Sequence, residues 1–163
     1  MGRPFFLGGR FIVNARENGL SLAIFFCQQL DAEQDINRRS IEKELGSQVR
    51  FFPLPCSGRI ESLHFMRALE AGADKVYLIT CPEGACRYRE GNIRAKKRVA
   101  FAQSLIGEIG LETDRFEIIV SSALPSPSID KITRQLLERE TRVGASPLRN
   151  SGRAASKDTG KKE

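Results

Sequence analysis

The segment Ser21–Phe26, with the sequence SLAIFF, decides the fold of this 163-residue chain. It is a short and almost continuously apolar run, which is typical of a strand buried on both faces of a parallel sheet. Three further runs of this kind follow at residues 49–54 (VRFFPL), 75–80 (KVYLIT) and 116–121 (FEIIVS). We therefore predict four strands, and Pro53 is tolerable because it stands near the end of its strand.

Helical patterns separate these strands. Apolar side chains recur at helix-compatible spacing in four segments: residues 30–45, 60–71, 92–109 and 129–141. Gly46 and Gly72 are typical stop residues for the first two helices, and Ser128 is a candidate cap for the last. Strands that alternate with helices predict right-handed crossovers. The predicted fold class is α/β: a flavodoxin-like, doubly wound, four-stranded parallel sheet with helices on both faces, in the strand order second, first, third, fourth.

The length and composition fit a single domain, since 40% of the residues are hydrophobic and 28% are charged. We assign residues 20–141 to this α/β domain and expect it to contain the cysteine site described below. Residues 1–19 are predicted to form an N-terminal arm or hairpin. Residues 142–163 contain almost no large apolar side chains, so we expect a disordered basic tail there.

The net charge of +6 resides mostly in that tail, because residues 141–163 carry six basic and two acidic side chains. A nearly balanced body argues against nucleic-acid binding, which usually needs positive charge concentrated on the folded surface. No apolar stretch reaches the length of about 18–20 residues that a membrane span needs, and Gly8 and Gly9 interrupt any signal-peptide core. We expect a cytoplasmic protein without a membrane span. In the cytoplasm, free thiols are more common than disulfides.

Four cysteines stand close to the carboxyl ends of the predicted strands. Cys27, Cys56 and Cys81 each follow one of the first three strands, and Cys86 lies in the loop after the third. Because the carboxyl ends of parallel strands meet at one edge, we expect all four thiols to converge there. Four soft sulfur ligands are the set that a [2Fe–2S] cluster or a zinc ion requires. Two alternatives remain: the cysteines are small buried hydrophobic residues, or Cys81 and Cys86 form a redox pair despite their wider spacing than CxxC.

Three stretches carry a resemblance to a known family. They are PCSGR at residues 55–59, EAGAD at residues 70–74 and CPEGACRYREGN at residues 81–92, the last followed by a basic helix. Over residues 20–122 the chain closely resembles the delta subunit of methyl-viologen-reducing hydrogenase. The resemblance implies an electron-transfer subunit with a [2Fe–2S] cluster that connects a further electron-donor or acceptor module with the flavin-bearing A subunit of heterodisulfide reductase or a relative. Related modules also occur in large complexes such as class II benzoyl-CoA reductase.

Carried onto this sequence, the resemblance makes Cys56, Cys81 and Cys86 cluster ligands and matches Cys27 to the first cysteine of a CxxC motif. The second cysteine of that motif is Leu30 here. We expect the four remaining thiols to suffice. The alternative, which this departure supports, is a structural adapter whose cysteine site binds zinc or no metal. Under both hypotheses the protein catalyses nothing by itself, since the sequence offers no acid–base pair, histidine-activated nucleophile or glycine-rich nucleotide loop.

Other residues near the cysteines are candidates for supporting roles. Four backbone amides are candidate donors to cluster sulfurs, although the first two equally fit an ordinary turn: Ser57, Gly58, Gly84 and Ala85. A basic group occupies the loop and first turns of the third helix: Arg87, Arg89, Arg94, Lys96, Lys97 and Arg98. We interpret this basic group as a dock for an acidic partner or as compensation for cluster charge, with a solvated face as the alternative. His64 is expected to be a packed or surface residue, and Tyr88 either stacks on a partner or covers the site.

Overall fold

A computed structural model describes residues 13–14, 19–122 and 126–150 of the chain. The strands are β1 (Val13–Asn14), β2 (Leu22–Cys27), β3 (Val49–Leu54), β4 (Lys75–Thr80), β5 (Phe116–Val120) and β6 (Glu140–Thr141). Strands β2 to β5 form one parallel sheet in the order β3-β2-β4-β5. Because β2 is the first of the four predicted strands, the predicted order of second, first, third, fourth is confirmed.

The two inner strands of this sheet are buried over their whole length. Every residue of β2 and β4 is buried, as expected for their nearly continuous apolar sequences. The outer strands β3 and β5 are only partly buried. Leu22 stands level with Val49 on one side and with Lys75 on the other. The strands therefore end almost level, and the residues that follow them meet at one edge.

Four α-helices cover the sheet: α1 (Gln34–Leu45), α2 (Ser62–Glu70), α3 (Gly91–Glu108) and α4 (Ile129–Glu138). On one face, Ile41 of α1 and Leu136 of α4 belong to a single buried cluster. On the other face, Phe65 of α2 and Val99 of α3 belong to a second one. The prediction of helices on both faces is confirmed. Within the described residues no helix combines the length and the apolar character needed to cross a membrane.

The helix α1 begins later than the sequence predicts. The chain leaves β2 in a 3₁₀ turn over Gln28–Leu30, and α1 starts only at Gln34. The carboxylate of Asp31 lies between the two, and it accepts hydrogen bonds from the backbone N–H of Glu33 at 2.9 Å and of Ile129 at 3.1 Å. The second bond caps α4 from a distant part of the chain, whereas Ser128, at the predicted cap position, makes no side-chain cap bond.

The helix α4 ends earlier than the sequence predicts. It stops at Glu138, and Glu140–Thr141 form the strand β6, which pairs antiparallel with β1. The predicted helix to Thr141 is wrong at its end because a partner far away in sequence takes these residues into a two-stranded sheet. That partner, Val13–Asn14, belongs to the predicted N-terminal arm; residues 1–12 and 15–18 of the arm lie outside the described residues.

Residues 142–150 pack against the body, in contrast to the disordered tail predicted from residue 142. Val143 and Ser146 are buried in this segment. The fully buried carboxylate of Asp74 anchors it, because it accepts a hydrogen bond from the Ser146 N–H at 2.6 Å and forms an ion pair with Arg149 at 3.3 Å. Composition does not reveal such an anchor, since it depends on a single charge far away in sequence. The remainder of the predicted tail, residues 151–163, lies outside the described residues.

Candidate metal centre

The four cysteines lie at the carboxyl edge of the sheet, where the sequence places them. Cys27 is the last residue of β2, Cys56 follows β3 by two residues, and Cys81 follows β4 directly. Cys86 lies in the loop between β4 and α3. All four are free thiols; the first three are buried and Cys86 is partly exposed. The topology thus brings together every thiol that the sequence singled out.

The thiols are arranged as two pairs. The Sγ atoms of Cys27 and Cys81 are 3.6 Å apart. Cys56 and Cys86 form the second pair and both lie against Gly91, since a Cβ atom added at Gly91 would lie 2.5 Å from Cys56 Sγ and 3.0 Å from Cys86 Sγ. The two pairs are near enough to interact electrostatically, because Cys27 and Cys86 both act on the ionisation of Cys56.

The first thiol pair has the spacing of two ligands on one metal ion. Two sulfurs bound to one tetrahedral metal at about 2.3 Å lie about 3.8 Å apart, close to the separation of Cys27 and Cys81. In the part of the chain that the structure describes, however, no three His, Cys, Asp or Glu side chains are grouped closely enough to hold a single metal ion. A [2Fe–2S] cluster takes two protein ligands on each of its two irons, which suits two thiol pairs.

The environments of the thiols give them different acidities. Burial raises the pKa of the Cys56 thiol, an effect that the N–H of Gly58 partly opposes. Burial, reinforced by the neighbouring Cys27 thiol, raises the pKa of Cys81 to about 12. Burial also acts against ionisation of Cys86, but backbone N–H groups at residues 88, 91 and 92 outweigh it and lower its pKa. Cys86 therefore becomes a thiolate, the form that binds metals, more readily than Cys56 or Cys81.

The turn that carries Cys56 is fixed by α3. The 3₁₀ turn Ser57–Arg59 packs on this helix, and Gly58 approaches it so closely that an added Cβ atom would lie 2.7 Å from Gly91 Cα. Arg98 donates hydrogen bonds to the carbonyl oxygens of Gly58 at 2.6 Å and Ile60 at 2.5 Å. This member of the predicted basic group therefore positions a cysteine-bearing turn, a role that the sequence did not indicate.

The loop that carries Cys81 is fixed by Asn92. Its buried side-chain amide donates to the carbonyl oxygens of Cys81 at 3.3 Å and Pro82 at 3.0 Å. The backbone of the same residue binds Cys86. The first turn of α3 thus holds both ends of the segment between the two cysteines. Sequence analysis missed Asn92 and Gly91, although both stand at a helix start, where free N–H groups bind anions.

The predicted amide donors are only partly those that the structure contains. The Gly58 N–H lies 3.4 Å from Cys56 Sγ, as predicted. The Ala85 N–H instead donates to the carbonyl oxygen of Pro82, and Gly84 has a positive φ of 77° in the same turn. The main donors to a sulfur belong to residues 88, 91 and 92, which reach Cys86 because the loop folds back onto the start of α3.

A family model described as methyl-viologen-reducing hydrogenase, delta subunit, matches residues 22–144. The match spans the parallel sheet and all four cysteines. The chain belongs to this family. It is 33% identical over 101 residues to the vhu iron-sulfur D subunit of the F420-non-reducing hydrogenase of Methanocaldococcus jannaschii, which is 62% of this chain and 75% of that protein. The corresponding protein of Methanopyrus kandleri is 33% identical over 98 residues, 60% of this chain and 74% of that protein.

A longer protein also matches this delta-subunit chain. The A subunit of the ferredoxin:CoB-CoM heterodisulfide reductase of Methanosarcina mazei is 30% identical over 98 residues. These residues are 60% of this chain but only 12% of that protein. A segment similar to the delta subunit is therefore part of a much larger polypeptide in that organism.

Leu30, which stands where the CxxC motif has its second cysteine, is a core residue in this delta-subunit chain. Only 5% of it is exposed, and it belongs to the same buried cluster as Cys27 and Cys81. An apolar side chain thus fills the space beside the Cys27 pair. Leu30 in place of the second CxxC cysteine does not disturb the two thiol pairs.

The basic group beside the site divides into engaged and free side chains. Lys96 pairs with Glu83, Arg94 with Glu90 at 3.3 Å, and Arg87 donates to Gln29 at 3.2 Å. The side chains of Arg89 and Lys97 are exposed and have no ion-pair or hydrogen-bond partner among the described residues. In the described part of the chain, these two exposed, unpaired side chains are the members of the basic group that are free to bind an acidic partner.

An open cavity of about 370 Å³ lies against Cys56, one thiol of the second pair. Cys56, Arg59, Tyr88 and Arg94 are among the residues that line it. Tyr88 is 56% exposed, so it does not seal the thiols from solvent. His64, by contrast, has a structural role, because its Nδ1 accepts a hydrogen bond from the Glu61 N–H at 3.0 Å and caps α2.

Proposed function

We propose that this protein is an electron-transfer subunit that carries a [2Fe–2S] cluster on Cys27, Cys56, Cys81 and Cys86. The arrangement of four free thiols as two pairs at one edge of the sheet carries this proposal. The relatives in Methanocaldococcus jannaschii and Methanopyrus kandleri are named iron-sulfur subunits. When bound, such a cluster would accept and release single electrons; the protein itself catalyses no reaction of a substrate.

The surroundings of the thiols suit this role. Burial of three cysteines excludes water, and N–H groups directed at Cys56 and Cys86 stabilise negative charge on sulfur. Both factors set the reduction potential of an iron–sulfur centre. A single zinc ion is the alternative, and it needs four thiolates around one point.

We propose as partner a flavin-containing protein similar to the A subunit of heterodisulfide reductase, together with a further module that donates or accepts electrons. The support is the Methanosarcina mazei protein, in which a segment similar to this chain is part of the A subunit itself. Two units joined in one polypeptide in one organism are expected to touch when they are separate chains in another. The assembly would be of the hydrogenase–heterodisulfide reductase type or of the class II benzoyl-CoA reductase type, in the cytoplasm.

The partner is expected to dock where the site is most open. Cys86 is the partly exposed thiol of the four, and the neighbouring cavity is bordered by Arg59, Arg94 and Tyr88. An acidic surface with an apolar centre would complement this border and would be guided to it electrostatically. Binding of the purified A-subunit homologue should therefore weaken in Arg59→Glu. Arg142→Glu, an exposed charge next to β6, is the matched control; equal weakening by both variants would contradict this docking site.

Anaerobic purification with metal analysis and an absorbance spectrum tests the cluster. We expect about two irons per chain and visible bands that dithionite bleaches. Cys56→Ser and Cys81→Ser should lose the iron, whereas Leu30→Met, a change of similar volume beside the same thiols, should keep it. One colourless zinc per chain, or no metal, would overturn the proposal.

A further inference from the structure

Two buried hydroxyl groups next to the cysteines have no partner. Ser57 is 1% exposed and Thr80 is 0% exposed. Neither side-chain oxygen makes a hydrogen bond to any group in the described part of the chain. Buried polar groups are nearly always paired, because a hydroxyl removed from water without a replacement bond is unfavourable. We therefore expect each of these hydroxyls to have a hydrogen-bond partner outside the described part of the chain.

Their positions connect them with the thiols. Ser57 directly follows Cys56, and Thr80 directly precedes Cys81. The other buried, unpartnered side-chain atoms among the described residues belong to α1 and α4, which lie on the opposite face of the sheet: Gln34 Oε1, Arg38 Nε and Asp130 Oδ1. Buried hydroxyls without a partner are thus confined, in the described part of the chain, to the surroundings of the cysteines.

Both hydroxyls also lie on the side of the sheet that α3 covers. Thr80 follows Leu78 by two residues, so the alternation along β4 places it on the face of the α2 and α3 cluster. Ser57 is part of the 3₁₀ turn that packs on α3. The Cys56 and Cys86 pair lies against Gly91, the first residue of this helix. The same side of the sheet therefore contains two unused donors and two thiols.

We infer that the hydroxyls of Ser57 and Thr80 donate hydrogen bonds to sulfur at the cysteine site when it is loaded, and thereby raise its reduction potential. The inference rests on the proposed function. Thiolate and sulfide sulfurs are acceptors that lack donors of their own, which makes them suitable partners for a hydroxyl. A donor at sulfur offsets negative charge, and this favours the reduced form because it carries one more electron.

A redox titration of the loaded protein followed by electron paramagnetic resonance tests this inference. Ser57→Ala and Thr80→Val should keep about two irons per chain and lower the midpoint potential. At the wild-type midpoint, the ratio of reduced to oxidised protein should fall about threefold in each variant and about tenfold in the double variant, which is about 59 mV for one electron. Ser57→Thr and Thr80→Ser, which keep a hydroxyl, should return the potential towards the wild-type value.

Thr133→Val is the matched control. Thr133 is equally buried, at 0% exposed, but it lies on α4, and its hydroxyl already donates to the Ile129 carbonyl oxygen at 2.7 Å. Its removal should leave the potential unchanged. Thr80→Val should also not lower the free energy of unfolding of the iron-free protein, because there its hydroxyl has no bond to lose.

The outcomes separate this inference from the proposed function. A wild-type protein without iron would overturn both. Full iron content with an unchanged potential in the double variant would overturn only the role of the hydroxyls. A loss of stability in iron-free Thr80→Val would also overturn it, because the hydroxyl would then have a partner other than sulfur.

Discussion

Gly91→Ala tests whether the start of α3 is shaped to seat two thiols. The Cβ atom of alanine would lie 2.5 Å from Cys56 Sγ, shorter than real Cβ contacts, and 3.0 Å from Cys86 Sγ, tighter than nine in ten of them. Gly91 is not among the glycines with positive φ, so its backbone conformation is open to alanine. Space beside the sulfurs, and not backbone strain, therefore requires glycine at this position.

Two effects of Gly91→Ala oppose each other. Alanine is favoured over glycine in a helix by at most about 1 kcal/mol. Overpacking costs about 1–3 kcal/mol, and both sulfurs resist displacement because backbone N–H groups hold them. The clash outweighs helix propensity, so we expect the free energy of unfolding to fall by up to about 2 kcal/mol. Iron loading should fall as well, because the second thiol pair is pushed apart.

Urea denaturation of the iron-free protein measures the first effect, and iron analysis after reconstitution measures the second. Gly107→Ala is the control in the same helix, since its Cβ atom would meet only Thr113 Cγ2 at an ordinary 3.4 Å. Its free energy of unfolding should rise by about 0.5–1 kcal/mol, and it should bind iron normally. If Gly91→Ala gains as much stability as Gly107→Ala and loads fully, the reasoning about the thiol seat is wrong.

Three further experiments address the core, the thiols and the carboxy-terminal segment. Leu30→Ala leaves a cavity in the core, so urea denaturation should show a free energy of unfolding lower by about 2–4 kcal/mol, with unchanged iron content. Loss of iron from the folded variant would make Leu30 part of the site. Alkylation of the iron-free protein from about pH 6 to about pH 10 should modify Cys86 before Cys81. The lowered pKa of Cys86 yields thiolate at lower pH, whereas Cys81, with a pKa raised to about 12, stays protonated. Equal alkylation rates of the two thiols would contradict the assigned environments. Asp74→Asn should lower the free energy of unfolding by about 1–3 kcal/mol. The buried Asp74 carboxylate accepts hydrogen bonds from two N–H groups and pairs with Arg149, and the variant changes both interactions. An effect no larger than that of the exposed Asp114→Asn would contradict the anchor.

The fold followed from the sequence because its determinants are local. Apolar runs define β3 and β4 at the residues predicted, Val49–Leu54 and Lys75–Thr80. Once four parallel strands were assigned, the convergence of the cysteines followed from topology, since each cysteine stands close after a strand. Their division into two pairs did not follow, because it depends on the path of the loop between Cys81 and Cys86.

The features that sequence analysis missed depend on contacts between distant residues. The sequence placed Arg98 in a basic group for docking or charge compensation, whereas in the structure it contacts two carbonyl oxygens of a turn 38 and 40 residues away. Asp74 lies in a motif of the family resemblance, but its role requires Ser146, 72 residues further along the chain. Spacing within a helix or strand carries no information about such partners.

The first turns of α3 explain why basic residues are tolerated near a helix start. Cations there are normally unfavourable, because the free N–H groups already give that end a partial positive charge. In this protein the N–H groups of Gly91 and Asn92 are directed at Cys86, and the side chain of Arg98 is used by the Cys56 turn. A thiolate centre would place negative charge at this point and offset the repulsion. The helix end, its glycine and Arg98 would then form one environment for negatively charged sulfur.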